Sequence, residues 1–375
     1  MNLKQMLVEM LNRKASDLHL RVGIRPHLRV NGRLEPIATD PVSIDTMENV
    51  VGQILNEKQL DRFRRKNEMD LALSVAKLGR FRINLFRQRG TSGVAVRAVN
   101  TNIPSFEELN LPDVVKDLAM ERRGLIVITG TTGSGKSTTL AAMIEHMNAN
   151  RIDNVLTVED PIEYVYRDKK CIISQREVGA DTDSFASALK HSLRQDPDVV
   201  LIGEIRDVDT MSIALTAADT GHLVLTTLHT LNAVETISRI ISFFPPHQHQ
   251  QIRLLLAGTL KAIVCQRLLK RGDMPGRVPA IEILVSTGAI RECLMTQEKT
   301  TSIPDLVEQG EQYGMMSFDQ SIMKLYRSGL ISFEEAMTQC TNPDDFDLRV
   351  KGITGAAERW DAGVPEEKES DISKF

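Results

Sequence analysis

Leu125-Ile126-Val127-Ile128-Thr129-Gly130-Thr131-Thr132-Gly133-Ser134-Gly135-Lys136-Ser137-Thr138 is the stretch that decides the fold. Its first five residues are an apolar strand. The next eight fit G-x-x-x-x-G-K-[ST], and a helix-forming run to Asn148 follows. The glycines allow backbone angles that turn successive amides inward, so that Thr132, Gly133, Ser134, Gly135, Lys136, Ser137 and Thr138 form a concave nest for phosphate oxygens. The helix N-terminus adds partial positive charge. Lys136 brings a point charge to β- and γ-phosphates, and the Ser137 hydroxyl is a ligand for Mg²⁺. From background residue frequencies a chance match in a chain of 375 residues is on the order of 1%.

The surroundings support a mostly parallel sheet. Short, nearly continuous apolar runs at Val155–Val158, Val199–Ile202, Leu223–Leu228 and Ile281–Val285 alternate with helical stretches at Ser137–Asn148, Ser184–Gln195 and Val208–Asp219. Runs without alternating polarity indicate strands covered on both faces. The fold class is therefore α/β. Beyond about Gln248 the pattern predicts a mainly helical region.

Two of these strands end in acid. Asp198-Val199-Val200-Leu201-Ile202-Gly203-Glu204 places Glu204 where a parallel strand would deliver it to the phosphate edge, to hold Mg²⁺ directly or through water. The other reading of Glu204 is a cap for the helix that begins near Asp207. Val155-Leu156-Thr157-Val158-Glu159-Asp160-Pro161-Ile162-Glu163 packs three carboxylates into five residues, which requires a cation or arginine nearby. Glu163 is the candidate for orienting or deprotonating an attacking water, the alternative being a solvated acidic turn. His222 and His229 sit at opposite ends of one strand, more than about 20 Å apart when extended, and cannot share a metal. His229, at the C-terminal end, fits either γ-phosphate sensing or a structural hydrogen bond.

The first segment differs. Leu3, Met6, Leu7, Met10 and Leu11 lie at helical spacing, and Leu18–Val22 alternates. Asn31-Gly32 joins two short strands as a hairpin. A helical stretch spans 43–66, and Gly79–Val99 reads as two more strands. In Arg80-Phe81-Arg82-Ile83-Asn84-Leu85 one face is apolar and the other carries arginines. This is a small α+β domain, with the boundary in the polar stretch Asn100–Ser105.

Residues 1–105 carry 18 basic and 10 acidic side chains, a balance of +8, while the remainder has 28 against 40, or −12. Opposite charges suit either an anion site or docking surface shared by the segments, or a solvated bias without a role. A guanidinium that meets a transferred phosphoryl group stabilises its developing charge, so Arg82 and Arg97 are candidates, as are Arg194 and Arg206 near the acidic elements. The four cysteines form no C-x-x-C pair, which excludes a disulfide scaffold or zinc knuckle. No apolar run is long enough to span a membrane, and the Met1–Gln5 start lacks a signal peptide's apolar stretch, so a cytoplasmic protein is expected. Aromatic residues make up only 4% and no basic, aromatic-interleaved strip occurs, so a nucleic-acid partner is not expected. The tail 361–375 has a disordered composition.

The phosphate loop, the acidic boxes Thr157–Glu163 and Leu201–Asp207, and the histidine box Thr220–Thr230, in this order, resemble the secretion-ATPase superfamily, the motors of type II and type IV secretion and of type IV pili. Ser16-Asp17-Leu18-His19-Leu20, Arg80–Asn84 and Gly288-Ala289-Ile290-Arg291-Glu292 are similar to its pilus-retraction branch; after Glu292 the last motif departs from the branch pattern. The missing tetracysteine motif also separates the chain from assembly-type relatives. The resemblance implies a PAS-like N-terminal domain over 1–100, a linker over 101–110 and a RecA-like ATPase domain over 111–360 with a helical C-terminal part. It implies ATP with Mg²⁺, a homohexamer, an inner-membrane platform protein as partner and peripheral membrane association through the pilus machine. A paralogous retraction ATPase is a further implied partner, and an accessory retraction role is the alternative function. It casts Glu163 as catalytic glutamate, Glu204 on the magnesium side, and Arg82 and Arg97 toward the γ-phosphate. Residues 289–294 are expected to form a helix that either contacts partners or packs through Ile290 and Leu294.

Overall fold

The computed structural model describes residues 2–37, 40–76, 78–99 and 102–352. The tail expected to be disordered lies outside these. Among the described residues thirteen strands run in chain order: β1 Asp17–Arg21, β2 His27–Val30, β3 Arg33–Pro36, β4 Glu68–Val75, β5 Gly79–Gln88, β6 Thr91–Ala98, β7 Gly124–Thr129, β8 Asn154–Glu159, β9 Ile172–Glu177, β10 Val199–Ile202, β11 Leu223–Leu228, β12 Leu260–Lys270 and β13 Arg277–Val285. Two compact units result, Met1–Pro104 with Ile144–Glu204, and Ser105–Met143 with Ile205–Phe375.

The first unit holds a six-stranded antiparallel sheet in the order β3-β2-β1-β6-β5-β4. The Asn31-Gly32 turn has both residues at positive φ, 49° and 80°, as a two-residue hairpin of matching twist requires. One face of the sheet is the core. Phe81, Ile83 and Leu85 are buried there with Leu18, Leu20 and Leu28, under a helix that lays down Leu3, Met6, Leu7 and Met10. Each such side chain contributes about 1.5–3 kcal/mol of burial. The stretch over 43–66 is two helices, Ile44–Ile54 and Glu57–Lys66. Leu55 turns extended between them, and Asn56 opens the second with a capping box to Gln59. The same unit carries β10-β8-β9, all parallel, with Ile202 opposite Val158 and Glu159 opposite Glu177.

In the second unit the order is β13-β12-β7-β11, parallel except for β13. Leu125 to Ile128 and Leu223 to Leu225 are fully buried, which explains their unbroken apolarity. The region beyond Gln248 departs from expectation. It opens with the helix His249–Thr259, but β12 follows and pairs antiparallel with β13, whose second half is the expected strand run Ile281–Val285, before the helices resume. The helix Gly288–Met295 buries Ile290, Cys293 and Leu294 and leaves Ala289, Arg291 and Glu292 exposed, so the packing reading of Ile290 and Leu294 holds.

Candidate functional site: a phosphate cradle and an acidic strand edge

In the second unit, β7 ends at Thr129 and the helix Lys136–Asn150 begins after six intervening residues. Gly130, Gly133 and Gly135 lie at φ 138°, 80° and 95°. At Gly130 a Cβ would stand 2.3 Å from the Gln266 carbonyl oxygen and 2.6 Å from Ser134 Oγ, so only glycine fits between the loop and β12. Lys136 is buried, and its Nζ donates to the Gly130 and Thr131 carbonyls at 2.8 and 3.0 Å. Thr132, Gly133 and Ser137 are exposed, with Thr138 half-buried. Ser134 Oγ is buried without a hydrogen-bond partner.

A nest of glycine-permitted amides, an ammonium folded onto its own loop and an orphaned hydroxyl fit a polyphosphate. Among the described residues no cluster of three or more His, Cys, Asp or Glu forms a ready metal site. The exposed Ser137 at the end of the loop offers a hydroxyl oxygen, the hard donor type that Mg²⁺ takes beside substrate phosphates and water.

The histidines separate as their strand predicts. β11 runs parallel to β7 with Leu228 opposite Thr129, so the exposed His229 follows at the edge where Gly130 begins the loop. His222 is at the other end, its Nδ1 3.0 Å from the Ala217 carbonyl oxygen. It ties down the end of the helix Val208–Asp219.

In the first unit, β8 and β10 are parallel and both end in acid at one edge. Gly203 N–H donates to the Val158 carbonyl, and a Cβ on Gly203 would come within 3.3 Å of Glu159 Cα. Glu204 follows directly and is half-buried. The carboxyl of Glu159 accepts from Thr157 Oγ1 at 2.7 Å, Gln175 Nε2 at 3.1 Å and the Glu163 amide at 3.4 Å. Burial nonetheless pushes its pKa above the ordinary carboxylate value, against those hydrogen bonds. Glu163 differs: its side chain is 47% exposed and stands 4.0 Å from an Arg82 nitrogen.

Arg82 Nη2 donates to the Ile162 carbonyl at 2.8 Å and the Pro161 carbonyl at 3.3 Å. Arg97 lies directly across from Arg82 on β6, and Asp17 directly across from Arg97 on β1. Two adjacent guanidinium groups repel. The Arg97 Nε–Asp17 ion pair at 2.7 Å and the two carbonyls facing Arg82 offset that repulsion. For Asp17 burial acts upward, but the hydrogen bonds from Arg97 and Ser16 prevail and hold its carboxyl below the usual range. This polar sheet face lines a cavity of about 730 Å³ together with Asp160, Pro161 and Glu177. Arg194 and Arg206 are exposed.

Sequence reasoning missed Gln175 and Glu177, which share one face of β9 and whose carboxamide and carboxylate grip the turn that carries Glu163. Their i, i+2 spacing puts them on one face of a strand but does not say what that face meets.

The type II/IV secretion system protein family matches residues 1–338. The chain belongs to that family. It is 42% identical over 352 residues to the type IV pilus ATPase PilU of Pseudomonas aeruginosa, covering 94% of this chain and 92% of that one. To the type IV pilus retraction ATPase PilT of the same organism it is 39% identical over 346 residues, covering 92% and 100%. A crystal structure of the pilus retraction motor PilT with bound ADP superposes with a TM-score of 0.84 at 40% identity, covering 92% of this chain and 98% of that one. Among the described residues no helix is long and apolar enough to cross a membrane.

Proposed function

We propose that this chain is an ATP-hydrolysing motor that drives type IV pilus retraction, and that it works as a ring of six subunits against an inner-membrane platform protein. The observation that carries the reading is the phosphate cradle at Gly130–Ser137, in a chain that matches pilus ATPases over nearly all of its length and theirs. The secretion-ATPase architecture supports the division into a PAS-like N-terminal domain and a RecA-like ATPase domain.

The loop amides and Lys136 bind and orient the phosphates, with Thr132, Gly133, Ser134, Gly135 and Thr138 completing the cradle. Lys136 exchanges its two loop carbonyls for phosphate oxygens, a charge-assisted replacement for neutral hydrogen bonds. Mg²⁺, held by Ser137 and, through water, by Glu204, supplies charge neutralisation to the phosphates when bound. Glu163 accepts a proton from, or orients, the attacking water, as its exposed and backbone-anchored position permits. His229 reads the γ-phosphate from the end of β11. Arg97 and Arg82 supply guanidinium charge to the transferred group.

Lys136→Ala tests the reading. The purified variant should keep its fold and lose ATPase activity by at least 100-fold, and a strain that carries it should stop twitching. Undiminished turnover would overturn the enzyme assignment. The similarity to PilU, as high as that to PilT, favours an accessory retraction role as the second reading. A Lys136→Ala strain that still retracts pili, provided a second retraction ATPase is intact, would select it.

A further inference from the structure

The turn that presents Glu163 is held by its backbone. Ile162 N–H donates to Glu177 Oε2 at 3.2 Å, and Tyr164 C=O accepts from Gln175 Nε2 at 2.8 Å. Tyr166 N–H donates to Gln175 Oε1 at 3.0 Å, and the Pro161 and Ile162 carbonyls are on Arg82. Within this scaffold Glu177 has the most demanding position. Its side chain is 7% exposed, and the same oxygen that takes the Ile162 amide also takes Arg80 Nη2 at 3.1 Å. A carboxylate so deeply buried persists only when its charge is matched, and Arg80, itself 21% exposed, is the matching cation.

We propose that Glu177 and Arg80 form a positioning pair for Glu163: Arg80 fixes the Glu177 carboxylate, and Glu177 fixes the Ile162 peptide from which Glu163 projects. The proposal rests on the reading of Glu163 as the group that orients the attacking water, and adds the residues that set its place. It separates the two arginines of the β5 polar face that are two residues apart. Arg80 is committed to a carboxylate of its own unit, whereas Arg82 touches only carbonyls and lies 4.0 Å from the Glu163 carboxylate. Glu177→Gln keeps the shape and an acceptor for Ile162 but turns an amide donor or a neutral oxygen toward Arg80, which weakens the pair without emptying the site.

The full-length protein is assayed for steady-state turnover of Mg-ATP and, by calorimetry, for affinity toward a non-hydrolysable ATP analogue. Glu177→Gln should lower kcat on the order of 10- to 100-fold, the scale of a misplacement near 1 Å, with analogue affinity within about twofold of native. Arg80→Lys, which retains a charged donor, should recover most of the kcat that Arg80→Gln loses. In a Glu163→Gln background, Glu177→Gln should cost nothing further, because both changes remove the same contribution. A folded Glu177→Gln protein with native kcat, or one whose affinity falls as far as its kcat, overturns the pair while a dead Glu163→Gln leaves the role of Glu163 standing. Native turnover in Glu163→Gln removes that role and the pair with it. If Glu177→Gln does not fold, Arg80→Gln decides by the same split, and native kcat there overturns the proposal.

Discussion

Gly130 and Gly133 offer a sharp test of the cradle, because both lie at positive φ but meet different surroundings. At Gly130, φ is 138° and an added Cβ would sit 2.3 Å from the Gln266 carbonyl oxygen. The backbone conformation alone costs a residue with a Cβ about 1–3 kcal/mol. Relief of the contact requires a shift on the order of 1 Å, and overpacking of this kind costs about 1–3 kcal/mol. Gln266 has little freedom to move. It pairs with Ile281 on β13, while its neighbour Cys265 pairs with Thr129 on β7. Gly130→Ala should therefore lose about 4 kcal/mol, close to three decades in the folding equilibrium. At Gly133, φ is 80° and nothing lies within 4 Å of the added Cβ, so Gly133→Ala should lose only the left-handed penalty of about 1 kcal/mol. Urea unfolding followed by far-ultraviolet circular dichroism measures both. Two variants within about 1 kcal/mol of each other would refute the claim that the loop is wedged against β12.

Other outcomes follow from the first unit. Gln175→Ala removes three hydrogen bonds at once, those to the Tyr166 amide, the Tyr164 carbonyl and the Glu159 carboxylate; a loss of about 2–4 kcal/mol is expected in the same unfolding assay, and a loss under about 0.5 would contradict it. His19 is held below its ordinary pKa by burial, with Asp17 pulling it up and Arg29, His27 and Arg97 pushing it down, and its Nε2 lacks a partner. Its neutral form is thus the folded one: the native protein should lose stability relative to His19→Gln as pH falls below about 6.5, and match it above. An NMR titration that places His19 at or above 6.5 would contradict this. Arg97→Gln should raise the Asp17 carboxyl from its depressed value, because only the Ser16 hydrogen bond and the His19 charge are then left to oppose burial. The stability that Asp17 contributes above about pH 3.8, and loses as pH falls through its lower folded value, should shrink in the variant; an unchanged acid limb would show that Arg97 does not set it.

Much of this was readable before any coordinates. The phosphate loop combines a rare motif with an apolar run buried on both faces, and the strands Val199–Ile202 and Leu223–Leu228 end where their composition changes. β12 was not readable. Leu260-Lys261-Ala262-Ile263-Val264-Cys265-Gln266-Arg267-Leu268-Leu269-Lys270 follows the helix His249–Thr259 with no breaker between them, and its leucines suit either period. β4 escaped for the opposite reason: its residues are only partly buried, without clean alternation. Glu163 could be nominated because acid at a strand end has chemical meaning by itself. Gln175 and Glu177 acquire meaning only when β9 pairs with β8 and brings them beneath the turn, a tertiary fact that no local pattern encodes.

Three carboxylates within five residues pose an electrostatic problem, and the chain answers it by giving each a different surrounding. Glu159 is half-buried under three donors, and burial raises its pKa against their pull. Asp160 is exposed to water. Glu163 keeps its exposure and gains a guanidinium at 4.0 Å. That guanidinium and the one on Glu177 both come from β5, in the segment whose net charge is +8, and the carboxylates they meet belong to the segment of −12. A solvated bias would have left these arginines in water. Instead each has a named partner more than 75 residues away in sequence, at side-chain exposures of 21% and 27%. At such sites an ion pair is screened far less than at the surface. The charge asymmetry is thus used inside the fold, where it holds one acid of the cluster in place and leaves its carboxylate exposed.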